Sequence, residues 1–60
     1  MPNPIGKDVH KETVTKADGL YKMKRFKEAK IEYENALKLK PADAYSKNKL
    51  EEIAKILAPK

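Results

Sequence analysis

The sequence contains no cysteine and no tryptophan, a single histidine and only two glycines. Each shortage closes an option. Without cysteine there can be no disulfide, and a lone His10 without a partnering His or Cys leaves no ligand set for a structural metal. The usual staples of a very small domain are therefore missing. Gly6 and Gly19 are too isolated to form a phosphate-cradling loop. No apolar run approaches the length of a membrane span. The N-terminal MPNPIGKD lacks the pattern of a signal peptide. No serine stands in a sequence pattern with His10, and Glu51 and Glu52, adjacent on a helix, point their carboxylates in different directions. The expectation is a chain without catalysis, without a cofactor and without a metal.

What is present is charge. Lys and Arg number 14 against 9 acidic residues, a net charge of +5 with 38% of residues charged. The basic excess favours acidic partners through long-range attraction and is too modest by itself to indicate nucleic acid. A chain of 60 residues makes at most one small domain. Such a chain buries only about 60% of the surface its unfolded form exposes, so help from a partner surface or from neighbouring parts of a longer protein is expected. A fragment of a longer protein is the favoured explanation of the size. The compartment stays open between cytosol and periplasm, with the cytosol the first expectation.

Helical spacing then organises the chain. Residues 1–7, with Pro2, Pro4 and Gly6, read as a flexible tail, and residues 58–60, with Pro59, as another. Between them, residues 8–57 read as one three-helix domain, with helices at about 9–23, 26–40 and 44–57. Asp8 is the expected cap of the first helix and Asp43 of the third, since a carboxylate accepts from the first free backbone N–H groups. In the first helix Val9, Thr13, Val14, Ala17, Leu20 and Tyr21 form one stripe, with the small Ala17 near its middle. In the second helix Phe26, Ala29, Tyr33, Ala36 and Leu37 form another, while Ile31 falls outside it. Leu39 is expected to pack at the next junction. In the third, Ser46, Leu50, Ile53, Ala54 and Leu57 form the expected buried stripe, with Tyr45 and Ile56 on its flank. Pro41 stops the second helix, because the residue before a proline is biased out of the helical region. His10 reads as a solvated helix residue. Met23 to Phe26 contains no glycine, asparagine or proline to break a helix. A short turn is placed there only because the apolar stripe changes phase.

The run AKIEYENALKLKP, from Ala29 to Pro41, is an Ala-x3-aromatic-x2-Ala pattern ending in Leu-x-Pro. It resembles the second helix of a tetratricopeptide repeat. The two helices from His10 to Asp43 also span 34 residues, the length of one such repeat. Phe26, Ala29, Tyr33, Ala36, Leu39 and Pro41 fall where the family places that kind of residue. In the first helix Ala17 meets the family's small residue, and Leu20 replaces its aromatic. Thr13 and Lys16 depart from its tryptophan and leucine. One repeat length beyond Lys16, Leu20 and Met23 lie Leu50, Ala54 and Leu57, so the third helix echoes a first helix. Glu51 stands there where Ala17 stands in the first. A glutamate at that position suits a terminal capping helix whose outer face is wet. The resemblance implies an all-α fold, an antiparallel helix hairpin plus a third capping helix.

The resemblance also implies a function, a non-catalytic protein-interaction or scaffold module that binds a peptide or docks onto neighbouring repeats. Its groove-facing positions are Lys11, Val14, Asp18, Tyr21 and Lys22 on the first helix, then Tyr45, Asn48 and Lys49 on the third. Repeats that clamp a C-terminal carboxylate carry a lysine and an asparagine where this chain has Val14 and Asp18, so that mode is disfavoured. Two alternatives remain. The breaker-free span from Leu20 to Lys40 permits one long helix and a helix-exchanged homodimer. The basic cluster Lys22, Lys24, Arg25, Lys27 and Lys30 offers a patch for an acidic ligand or, less favoured, nucleic acid. No aromatics interleave with those lysines to stack bases. No membrane partner is expected.

Overall fold

The structure, a computed structural model, describes residues 8–58. The tails expected at residues 1–7 and 58–60 lie outside it except for Ala58, and so does Pro59. The described residues form three helices and no strand: α1 (Val9–Lys22), α2 (Phe26–Leu39) and α3 (Ala44–Leu57). The fold is all-α. α1 and α2 pack together as a hairpin, and α3 packs on α2.

Both expected caps are made. Asp8 Oδ1 accepts from the Lys11 backbone N–H at 3.1 Å. Asp43 Oδ1 accepts from that of Ser46 at 3.2 Å. Each satisfies a donor that the helix itself leaves free. Pro41 acts as expected: Lys40 before it is extended, at φ −138° and ψ 91°. α1 ends at Lys22 and α2 at Leu39, each one residue short of the expected Met23 and Lys40. α2 starts at Phe26, and Arg25 before it makes no side-chain cap.

The break between α1 and α2 is made by a lysine. Lys24 has φ 63°, the left-handed conformation that glycine adopts at least cost. Its N–H donates to the Tyr21 carbonyl, and the Arg25 N–H donates to the Leu20 carbonyl, both at 2.9 Å. This paired arrangement closes the C-terminus of a helix and satisfies carbonyls that would otherwise be left over. Phe26 then meets Tyr21 edge to face, with ring centroids 5.3 Å apart and planes at 84°. That contact holds the turn on its apolar side, so no breaker residue is needed.

Ala17, Ala29, Tyr33, Ala36 and Ile53 are fully buried. Ala17 of α1, Ala29 and Tyr33 of α2 and Ile53 of α3 form one cluster, flanked by Leu20, Tyr21, Phe26 and Leu50. The alanines let the helices approach closely. Tyr33 and Ile53 supply the bulk, worth about 1.5–3 kcal/mol for a large apolar side chain. Gly19 points away from the packing: a Cβ added there would meet nothing within 4 Å.

The expected stripes are wider than the ones observed. Ala54 and Leu57, expected to be buried, are exposed. α3 rests on α2, and among the described residues no further helix packs on it, so burial narrows to Ser46 and Ile53, with Leu50 half-buried. Val9, in the first turn at the open end of the hairpin, is 56% exposed. Leu39, expected at the helix junction, is 49% exposed. Ile31 and Glu51 are exposed as expected.

Candidate functional site

Four of the eight expected groove residues meet in one network across α1 and α3. Asp18 accepts from the Tyr45 hydroxyl at 2.9 Å and from the Tyr33 hydroxyl rising from α2 beneath. One helical turn along α1, Tyr21 donates its hydroxyl to Glu52 Oε1 at 2.9 Å. Lys49 Nζ lies 3.9 Å from the same oxygen. It also lies 4.4 Å from the Tyr21 ring centroid and 5.7 Å from that of Tyr45. The Tyr33 and Tyr45 rings meet edge to face at 6.4 Å. The cation over two ring faces and the hydroxyls on two carboxylates tie the third helix to the first.

The electrostatics follow from these partners. Burial, then the hydrogen bond to Asp18, raises the phenol of Tyr33 far above its ordinary value. Burial and Asp18 raise Tyr45 in the same way. The hydrogen bond to Glu52 raises Tyr21. All three phenols therefore remain protonated donors at neutral pH.

Lys11, Val14 and Tyr45 line an open cleft of about 320 Å³ together with Asp8, His10 and Asp43. Lys22 and Asn48 are exposed and take no part in the network. Glu52 was missed as a member. The available signal was its register: Tyr45, Lys49 and Glu52 follow one another at four and three residues, on one face of α3.

His10 is not the solvated residue expected. It is mostly buried, and its Nε2–H donates to Asp43 Oδ2 at 2.5 Å. The same oxygen accepts from the Ser46 hydroxyl at 2.6 Å. Ser46, then His10, holds the Asp43 carboxyl down at about 2. Histidine, aspartate and serine thus converge, but in the wrong order for nucleophilic catalysis. Imidazole and hydroxyl both donate to the carboxylate, so no base receives the serine proton. The trio instead fastens the start of α1 to the cap of α3. Among the described residues no group of three or more His, Cys, Asp or Glu could hold a metal ion. None of their helices is long and apolar enough to cross a membrane.

The expected basic cluster is exposed throughout, at Lys22, Lys24, Arg25, Lys27 and Lys30. Arg25 lies 3.4 Å from Glu28 in a solvent-facing pair of small energetic weight. The cluster surrounds the α1–α2 turn.

Compared with protein-family models, with curated proteins and with solved structures, the chain matches none. The site offers two tyrosine rings fixed through their hydroxyls and a lysine set over them, 3.9 Å from Glu52, beside a cleft lined in part by Val14, Lys11 and Tyr45.

Proposed function

We propose that the chain is a non-catalytic protein-interaction module of tetratricopeptide type, using the face shared by α1 and α3 to receive a peptide or to dock onto neighbouring repeats. The observation that carries this reading is the Asp18–Tyr45 and Tyr21–Glu52 pair of hydrogen bonds. They hold that face rigid before any partner arrives, which lowers the ordering cost of binding. Tyr45, although anchored through its hydroxyl, is still 47% exposed and free to pack on a ligand. The buried alignment of Ala17, Ala29, Tyr33 and Ala36 also supports the repeat-like pattern.

The test is a peptide selection followed by titration of the selected peptide into isotopically labelled protein. Backbone shifts concentrated at Val14, Tyr21, Tyr45, Asn48 and Lys49 are expected, with binding lost in Tyr45→Ala. Selection of no peptide, or shifts confined to the outer face of α2, would overturn the reading.

A second reading, self-association, rests on the exposed Met23, Ile31, Leu39 and Ile56. Light scattering over a concentration series separates the two. A dimer persisting near micromolar concentration favours self-association, and a monomer throughout favours the interaction module.

A further inference from the structure

We infer that the α1–α2 turn is a second docking surface, one that takes an acidic protein segment carrying an apolar side chain. Three observations meet there. First, the turn bears cations with little to neutralise them. Glu28 is engaged by Arg25 at 3.4 Å, while Lys24 and Lys27 have no ion-pair partner among the described residues. Second, the charge is held at a backbone cost. Lys24 occupies the left-handed region at φ 63°, where glycine would relieve the strain and also remove a like charge from the cluster. Third, Lys24, Arg25 and Lys27, with Glu28 in its pair with Arg25, rim an open cleft of about 300 Å³ whose apolar surface comes from Phe26 and Leu57. Leu57, at the end of α3, is 38% exposed.

Cationic rim and apolar floor together define the occupant. Carboxylates on either side of a leucine-like side chain would answer both features at once. A nucleic-acid backbone would satisfy only the rim. The single aromatic at the cleft, Phe26, is half-buried and already set edge-on against Tyr21, so it is a poor platform for stacking bases. The turn lies at the opposite end of the helices from the His10–Asp43 contact and does not depend on the groove reading.

The experiment uses fluorescence anisotropy with a short labelled peptide of glutamates around one leucine, at low and at moderate salt. The expected result is binding that weakens with salt. Lys24→Gly/Lys27→Gln should weaken it about tenfold. Leu57→Ser, or serine in place of the peptide's leucine, should weaken it about threefold or more. Lys38→Gln/Lys47→Gln removes the same net charge from exposed sites elsewhere and should leave it unchanged. Melting curves confirm that each variant is folded. No binding at low salt would overturn the inference. So would equal losses in both double variants, since bulk charge alone would then be responsible. Tighter binding of a mixed-sequence oligonucleotide or of anionic lipid vesicles through the same two lysines would overturn the assigned partner class.

Discussion

Lys24→Gly tests the turn on which the hairpin depends. An L-residue in the left-handed region costs about 1–2 kcal/mol relative to its right-handed conformation, a cost that glycine does not bear. Lys24 sits there at φ 63°, with its N–H bonded to Tyr21 and the next N–H to Leu20. Glycine keeps both bonds, because they are backbone groups. It also loosens the unfolded chain, returning about 0.4–1 kcal/mol of the gain. The net expectation is a stabilisation of roughly 0.5–1 kcal/mol, or about 3–6 °C in melting temperature for a domain of this size. Thermal melts followed by far-ultraviolet circular dichroism measure it. Lys24→Ala keeps the Cβ and should stay within about 0.5 kcal/mol of the parent, and Lys24→Val should fall below it. The sign of the glycine effect is decisive. If the chain ran as one straight helix through this point, glycine would cost about 1 kcal/mol instead. A glycine variant melting at or below the parent would therefore refute the turn.

Other expectations follow from the packing. Ala36 is fully buried, so Ala36→Glu should cost more than about 3 kcal/mol and abolish the helical dichroism. A variant that kept its helix signal and melting temperature would show that this face is not buried. Asp18 accepts from two tyrosine hydroxyls, so Asp18→Ala should cost about 2 kcal/mol or more, while Tyr45→Phe, which leaves Tyr33 in place, should cost about 1 kcal/mol or less. Equal losses by urea denaturation would contradict the shared carboxylate. Asp43 carries a pH dependence of definite sign. Its carboxyl is lowered from 3.8 to about 2 in the folded chain, so the stabilisation is complete above about pH 4 and lost as pH falls through about 2. At about 1.4 kcal/mol per pH unit the effect is on the order of 2 kcal/mol. The stability gap between the parent and Asp43→Asn should narrow over that window; a constant gap would remove the Ser46 and His10 contacts from the explanation.

Much of the architecture is legible in short stretches. Asp8 and Asp43 announce their helices, Pro41 ends one, and Ala17, Ala29, Tyr33 and Ala36 sit at spacings that already mark the buried seam. The turn is only half legible. The change of stripe phase at Phe26 is in the sequence, but a lysine at a left-handed position carries no compositional signal. The third helix shows the opposite error, because apolar residues at helical spacing are buried only where something packs on them. Ala54 is exposed, and Leu57 is only partly covered, at the cleft it shares with Phe26.

Helix identity, the caps at Asp8 and Asp43 and the stop at Pro41 were determined by the sequence itself, because capping, the restriction before proline and helical spacing act within a few residues. The tertiary structure decided which polar groups meet: Tyr33 with Asp18 across 15 positions, Tyr45 with Asp18 across 27, Tyr21 with Glu52 across 31 and His10 with Asp43 across 33. The physical reason is range. Those pairings depend on how three helices are set against one another, and a hydroxyl or an imidazole finds its carboxylate only after the alanine seam has brought the helices together.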